Sequence, residues 1–374
     1  MRISLISYTY NDAAYLRELF AHADRWGVPF DERLVVDDGS NPPLSQSACP
    51  GATILRTEGN NGPAAAKRLG LGRASGDVLL SIDCDIRPHP KWLRYALTYL
   101  TDPTVGLVGT ETILPTQSPS LAAAWLRLNA VRNAPRQGDA FNRSLCGGIV
   151  LLRQSAYAAV GGIDTSAAVA EDARLSNAIA ASGATTVSIH RYPVYQARHL
   201  SIRQLCRQHV IYMGPSHRGL ARDAGEARYI IGQLDVLNRQ LGWVEEGKDR
   251  RVAVVPLLLA LCIWEATRRA QVAAGRDEQR LCALLGACLD KIDANAPLGN
   301  LWRATAAGLW PDTQPGPYAR NAAPLPESAA FQRILRIIET LPTHDLLPAE
   351  DITANETFHY LDDKPLSYGI PGDR

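Results

Sequence analysis

Two aspartates one residue apart, Asp83 and Asp85, follow the apolar run 78–80. Side chains alternate between faces in an extended segment, so these carboxylates are predicted to point the same way and to share one cation. Carboxylate oxygens suit hard divalent cations such as Mg²⁺ and Mn²⁺. Because isolated pairs of this kind are common in surface turns, their meaning depends on the other polar residues of the chain.

Three further polar sites lie at predicted strand ends or helix starts. The stretch 37–40, Asp-Asp-Gly-Ser, ends an apolar strand, and taken alone it is equally a plain turn. The loop 60–63 leads into a helix that carries Lys67, and its amides and cation suit an anion. Glu171 and Asp172 begin another helix, where carboxylates also stabilise the helix dipole. A capping or turn role explains each site alone, but their occurrence together favours one joint site.

The elements that must position these residues alternate along the first 110 residues. Apolar runs separated by helical patterns are typical of βαβ units around a mostly parallel sheet. Strands are predicted at 2–8, 33–36, 53–56, 77–82, 105–109 and 149–152, and helices from Asn11-Asp12 and at 62–74, 90–100, 121–133 and 171–182. Asn11-Asp12 is a natural capping pair. Ligands in open α/β sheets bind beyond the carboxyl ends of the strands, where Asp38 and Asp83 fall.

Long helical patterns replace this alternation beyond residue 225. The predicted organisation is a catalytic domain at 1–220, a helical domain at 221–310 and a Pro-rich, acidic tail at 311–374. The most apolar stretch, 252–264, is shorter than the ~20 residues needed to span a bilayer and predicts a buried helix.

Composition narrows the class of protein. Lys and Arg total 39 and Asp and Glu total 38, so global charge gives no argument for nucleic acid or an anionic membrane as partner. The seven cysteines are scattered and never spaced as Cys-x-x-Cys. This argues against a disulfide framework or a zinc knuckle and favours a reducing compartment. The first residues predict a strand rather than a signal peptide, so we expect a cytoplasmic protein, with a peripheral membrane location as the alternative.

The ordered set of motifs over residues 1–215 resembles family 2 glycosyltransferases of the GT-A fold. The resemblance is carried by residues 6–11, 35–40, 60–68, 83–85, 146–148, 161–164 and 171–172. It implies an α/β GT-A domain that transfers a sugar from a nucleoside-diphosphate sugar, with UDP-sugars as the expected donors, to an acceptor hydroxyl. It also implies single displacement with inversion at the anomeric carbon.

The resemblance assigns roles to single residues as well. Asp172 matches the general base that removes the proton of the acceptor hydroxyl. Tyr8 and Asp38 match the pocket for the donor's base. Asp83 is expected to contact the ribose and, together with Asp85, a Mn²⁺ or Mg²⁺ ion that neutralises the leaving diphosphate.

A basic segment follows the predicted catalytic helix. Residues 196–222 contain five arginines, three histidines and no acid. Arg203 and Arg207 share a helix face and can converge on one anion such as the diphosphate, whereas a solvated basic face is the alternative. Lys67 is expected to bind the anionic part of the donor. His199 fits a family position that completes the metal or diphosphate site.

Other functions stay open at this point. The acceptor can be a saccharide, a peptide or a phosphate-bearing molecule such as a nucleic acid or a lipid-linked sugar. A nucleotidyltransferase or a dehydrogenase would place glycines directly after the first strand, and residues 6–11 contain none. A degenerate fold that serves as a binding scaffold is disfavoured by the full set of aspartates. The helical C-terminal region is a candidate for acceptor binding, homo-oligomerisation or membrane docking.

Overall fold

The computed structural model describes a defined part of the chain. The described residues are 1–115, 122–123, 125–126, 138–142, 144–165, 171–198 and 205. The chain divides into two compact units, and all of these except 122–123, 125–126 and 205 belong to the first. His199, Arg203, the long helices predicted beyond residue 225 and the tail lie outside the described residues, as does most of the helix predicted at 121–133.

The elements of the described residues follow the predicted alternation. The strands are β1 (Ile3–Thr9), β2 (Glu32–Asp37), β3 (Thr53–Arg56), β4 (Val78–Asp83), β5 (Ile86–Pro88), β6 (Val105–Gly109), β7 (Leu114–Pro115), β8 (Ala140–Phe141), β9 (Ile149–Arg153), β10 (Thr185–Ser188) and β11 (Val194–Gln196). The helices are α1 (Ala13–Ala23), α2 (Pro63–Arg73), α3 (Trp92–Tyr99), α4 (Gln154–Ala159) and α5 (Glu171–Ala181), with a 3₁₀ turn at Gln46–Ala48. In this part of the chain, no helix has the length and apolar character needed to cross a membrane.

Eight strands form one sheet in the order β3-β2-β1-β4-β9-β6-β10-β8. β1 pairs in parallel with β2 and β4, β2 with β3, and β6 with β10, whereas β9 runs antiparallel between β4 and β6. The predicted α/β fold with a mostly parallel sheet is therefore confirmed. Because β1, β2 and β4 are parallel, their last residues Thr9, Asp37 and Asp83 lie at one edge of the sheet.

The sheet separates two apolar clusters, as the alternation of side chains along a strand requires. From β1, Leu5 packs on the side of α1 and α3, whereas Ile6 packs on the side of α2 and α5. Full burial of one such side chain contributes about 1.5–3 kcal/mol. Helix α2 lies close to β1 because Gly70 has no side chain: a Cβ there would lie 2.6 Å from Ile6 Cγ2.

A second, three-stranded sheet has the order β5-β11-β7. β5 runs antiparallel to β11, and Ile86 pairs with Gln196 in register. The amide of Ala197 also donates to the carbonyl of Asp85 at 2.6 Å. This pairing brings residues 196–198 beside the turn that carries Asp85, more than a hundred residues earlier in the chain.

Helix α1 begins where the sequence predicts, but the predicted cap is wrong. Asp12 occupies the N-cap position and makes no capping hydrogen bond. Its carboxylate is instead bound by the guanidinium of Arg198, with Nη2 2.6 Å from Oδ2. A forked pair with a charged guanidinium binds a carboxylate more strongly than a single backbone amide does, so the distant arginine takes the oxygens that a cap would use.

Candidate functional site

The turn after β2 contains a structural aspartate, Asp37. Its buried carboxylate accepts hydrogen bonds from the amides of Ser40 at 2.9 Å and Leu44 at 3.0 Å, and from the guanidinium of Arg56. Burial alone would raise the pKa of Asp37, but these hydrogen bonds and the charge of Arg56 hold it below its usual range. Asp37 therefore stays ionised and holds the turn that presents Asp38.

Asp38 connects this turn to the loop before α2. Its carboxylate accepts hydrogen bonds from the Thr57 hydroxyl at 2.8 Å and from the amides of Asn61 at 3.1 Å and Gly62 at 2.8 Å. The sequence predicts an anion at these amides, and the anion they bind is the carboxylate of Asp38. Its role in binding the donor's base stays a prediction.

Tyr8 lies in the interior at the same edge of the sheet. It pairs in register with Asp83, and its hydroxyl is 3.0 Å from Ser81 Oγ. Burial raises the pKa of Tyr8 above its usual value, so the phenol stays neutral. The ring packs in the apolar cluster on the α2 side, and its predicted contact with the donor's base stays a prediction.

Lys67 of α2 is the centre of the charged cluster. It is 6% exposed, and its Nζ lies 3.0 Å from Glu171 Oε1 and 3.4 Å from Asp83 Oδ1. It also donates a hydrogen bond to the carbonyl of Gly147 at 3.2 Å. Burial alone would lower the pKa of Lys67, but the two carboxylates raise it above its usual value. This ammonium therefore joins α2, β4 and α5, and its charge is balanced by two carboxylates.

Asp172, in the first turn of α5, is held against a glycine. Its Oδ2 accepts the amide of Gly147 at 2.7 Å. A Cβ at residue 147 would lie 2.6 Å from the Cβ of Asp172 and 3.0 Å from Nζ of Lys67, so only glycine allows this approach. The structure therefore places the predicted general base beside the ammonium of Lys67.

The predicted extended geometry of Asp83 and Asp85 is wrong. β4 ends at Asp83, and Cys84 and Asp85 form a turn. The buried Arg87 fixes this turn by donating to the carbonyl of Cys84 at 2.7 Å and to that of Tyr15 at 2.8 Å. The sequence pattern of β4 cannot show this, because the turn is set by the later strand β11 and by α1.

Ionising the carboxyl group of Asp83 costs free energy in the folded protein. Burial is the main cause that raises its pKa to about 6; the ammonium of Lys67 opposes the rise, and the carboxylates of Asp85 and Glu171 add to it. A folded pKa above the unfolded value of about 3.8 means that ionisation destabilises the fold, and water reduces this cost because the Asp83 side chain is 38% exposed. That cost is absent below the unfolded value and fully present above pH 6. A bound cation is the kind of partner that removes such a cost.

Asp85 has a different partner, Arg198. The Nε of Arg198 lies 2.7 Å from Asp85 Oδ2, and Nε2 of Gln196 is 3.3 Å from the same oxygen. Burial alone would lower the pKa of Arg198, but the hydrogen bonds that it donates to Asp12 and Asp85 raise it. The sequence indicates Arg198 only as one member of a basic segment, since nothing local marks its partners.

One oxygen of each turn aspartate is left for another ligand. Asp83 Oδ2 and Asp85 Oδ1 have no hydrogen-bond or ion-pair partner among the described residues. These oxygens fit a hard divalent cation. No group of three or more His, Cys, Asp or Glu able to hold a metal occurs in the described part of the chain. Donor phosphates, water or a residue such as His199 would therefore have to complete the coordination.

The charge balance of the cluster also favours a cation. Among the residues that the structure describes, five acidic and two basic side chains belong to it: Asp12, Asp83, Asp85, Glu171, Asp172, Lys67 and Arg198. Within this described set three negative charges exceed the positive ones and oppose the approach of a diphosphate, so an anionic donor needs positive charge from elsewhere, such as a cation.

The structure gathers part of the predicted set. Lys67, Asp83 and Asp172 meet at one place, with Asp85 on the adjoining turn. The carboxylate of Asp38, by contrast, is bound by the loop 57–62. Sequence reasoning gave Glu171 no site role, although it stands next to Asp172 and pairs with Lys67 at 3.0 Å.

Comparison with known proteins supports the family predicted from the motifs. Residues 4–156 match the sequence model of "Glycosyl transferase family 2". A pre-mycofactocin glycosyltransferase from Mycobacterium tuberculosis is 29% identical over 160 residues, which are 40% of this chain and 34% of that protein. Glycosyltransferase AglE from Haloferax volcanii is 30% identical over 115 residues, 29% of this chain and 38% of that protein. The chain spans about a third of the length of these curated relatives.

Solved structures give a weaker similarity. The mannosyltransferase PcManGT from Pyrobaculum calidifontis, in complex with GDP-Man and Mn²⁺, has a TM-score of 0.43 and 20% sequence identity, covering 83% of this chain and 88% of that one. The residues matched by the family include the strand ends that carry Asp38 and Asp83, whereas Asp172 lies beyond them. Residues 4–156 are thus similar in sequence to family 2 glycosyl transferases, and the described part of the chain has an α/β fold with a mostly parallel sheet.

Proposed function

We propose that this protein transfers a sugar from a nucleoside-diphosphate sugar to an acceptor hydroxyl. The observation that supports this most directly is the cluster of Asp83, Glu171 and Asp172 around the buried Lys67, at the edge of the sheet where β4 ends. Open α/β sheets bind ligands at this edge. The family match over residues 4–156 and the names of the curated relatives, both glycosyltransferases, support the same chemistry.

Asp172 acts as the general base in this proposal. Two backbone amides orient the carboxylate of Asp172: that of Gly147 donates to Oδ2, and that of Ala173 donates to Oδ1 at 2.8 Å. It takes the proton of the acceptor hydroxyl as the acceptor oxygen attacks the anomeric carbon. The bond from that carbon to the diphosphate breaks on the opposite side, so the configuration inverts. A positioned base of this kind contributes about 10²- to 10⁴-fold to the rate.

Asp83 and Asp85 would hold a divalent cation through Asp83 Oδ2 and Asp85 Oδ1, which no described residue contacts. Mn²⁺ or Mg²⁺ bound there supplies positive charge to the leaving diphosphate. Lys67 keeps the Asp83 carboxylate in place, and Arg198 does the same for Asp85. His199 and Arg203 are proposed to complete the metal and diphosphate contacts, and Tyr8 and Asp38 to lie on the side of the donor's base. UDP-sugars are the expected donors.

A thermal-shift panel of nucleotide sugars, with Mn²⁺ or with EDTA, tests donor binding on the full chain. We expect one class of donor to raise the Tm in Mn²⁺ and to lose this effect in EDTA. A ligand present at 100 times its Kd stabilises the native state by about 2.7 kcal/mol. Asp83→Asn should remove the shift. If no donor shifts the Tm, or if the shift persists in EDTA and in Asp83→Asn, the proposed donor site is wrong.

A further inference from the structure

Arg198 bridges two carboxylates from distant parts of the chain. Its Nε lies 2.7 Å from Asp85 Oδ2, and its Nη2 and Nη1 lie 2.6 and 3.3 Å from the two oxygens of Asp12. The guanidinium carbon is also 5.1 Å from the centre of the Tyr15 ring. Arginine forms such a planar, forked arrangement, whereas lysine cannot reproduce it. The guanidinium is therefore fixed beside one of the two aspartates proposed to hold the cation.

Asp12 is itself connected to the other half of the proposed donor pocket. The backbone amide of the neighbouring Asn11 donates a hydrogen bond to Ser40 Oγ at 2.9 Å. The side-chain oxygen of Asn11 accepts one from the backbone amide of Asn41 at 2.8 Å. Residues 11–12 thus link the turn that presents Asp38 to Arg198. The ion pair with Arg198 then continues this connection to Asp85.

The electrostatic effect on a cation follows from this geometry. Arg198 takes one of the two oxygens of Asp85 and balances part of its charge. A divalent cation on the remaining oxygen would also face the positive guanidinium at short range, where like charges repel strongly in a partly buried site. The donor's diphosphate carries the negative charge that would offset this repulsion.

We propose that Arg198 is a positioning residue that orients Asp85 and keeps the cation affinity of the donor-free protein low. This inference rests on the proposed function, because it takes Asp83 and Asp85 to hold the cation. The cation then binds tightly only together with the donor, and by thermodynamic linkage each strengthens the binding of the other. Asp12 moderates the effect, since it balances the charge of Arg198 from the other side.

Mn²⁺ alone, titrated into the full chain and followed by the electron paramagnetic resonance signal of the free ion, tests this role without turnover. Arg198→Met removes the charge and the hydrogen-bond donors and keeps an unbranched, though shorter, side chain. Coupling between sites typically changes affinity by 5–150-fold, so we expect Mn²⁺ to bind this variant about 10-fold more tightly than wild type. Asp12→Asn should act in the opposite direction, because the charge of Arg198 is then balanced by Asp85 alone.

Arg33→Met is the matched control. Arg33 pairs with Asp24 at 2.7 Å and has a side-chain exposure of 25%, close to the 30% of Arg198. Its partner belongs to none of the proposed sites, so Mn²⁺ binding should equal that of wild type.

The possible results separate the two proposals. Tighter binding in Arg198→Met that is lost on adding Asp83→Asn, together with weaker binding in Asp12→Asn, supports the role of Arg198. Weaker binding in both Arg198→Met and Asp12→Asn would show a merely structural role and overturn it. Unchanged binding in Arg198→Met, or a gain that survives Asp83→Asn, would overturn it as well, with the proposed function intact. If Mn²⁺ binds neither wild type nor any variant, the proposed metal site and this inference both fall.

Discussion

Replacing Asp172 with asparagine is expected to lower turnover by about 10²- to 10⁴-fold, the contribution of a positioned general base. Asparagine has nearly the same size and keeps an oxygen that can accept the amide of Gly147, which binds Oδ2 at 2.7 Å in the wild-type protein. It cannot accept a proton from the acceptor hydroxyl. Donor binding should be spared, because the donor contacts are assigned to other residues.

Two measurements separate catalysis from binding in this variant. The rate of nucleoside diphosphate release should fall, while the donor-induced shift in Tm should stay at the wild-type value. Asp24→Asn is the control, since Asp24 pairs with Arg33 and has no role in the proposed site. A wild-type rate in Asp172→Asn would mean that another group removes the proton.

Replacing Lys67 with methionine is expected to have the largest effect on stability. Methionine has a similar length but no charge, so Glu171 and Asp83 would lose the ammonium that lies 3.0 and 3.4 Å from their oxygens. Removing one partner of a buried pair costs about 3–5 kcal/mol, because an uncompensated charge stays buried. Urea denaturation of both proteins measures the change in the free energy of unfolding.

Two further variants show whether charge is the cause. Adding Glu171→Gln to Lys67→Met should recover part of the lost stability, because it removes a buried charge that Lys67→Met leaves unpaired. The effects of substitutions at contacting residues are not additive. The exposed Lys91 provides the control: any pair that its side chain makes is in contact with water, so Lys91→Met should change stability by no more than about 1 kcal/mol. A loss below about 1 kcal/mol in Lys67→Met, or strictly additive losses in the double variant, would contradict the buried cluster.

Local patterns predict the parts of the site that depend on single elements. The strands β1, β2 and β4 end within one residue of the predicted positions, and these ends place Asp38 and Asp83 at one edge of the sheet. Helix α5 begins at Glu171, as its acidic first turn indicates. These features follow from periodicity and turn chemistry, which act over a few residues.

Long-range ion pairs are the parts that local patterns miss. Lys67 and Glu171 are 104 residues apart, and Asp12 and Arg198 are 186 apart. Asp12 looks like a helix cap in the sequence because the same short acidic side chain serves caps and ion pairs. The turn at Asp85 depends in the same way on β11, and no sequence feature near β4 predicts this pairing.

Asp83 and Asp85 are proposed to hold a cation that the sugar transfer needs. The most direct measurement is the release of nucleoside diphosphate from the donor that raises the Tm, compared in Mn²⁺ and in EDTA. A metal-dependent transferase should release it in Mn²⁺ and lose this activity both in EDTA and in Asp83→Asn. Release that continues undiminished in EDTA and in Asp83→Asn, or no release from any nucleotide sugar, would contradict the claim.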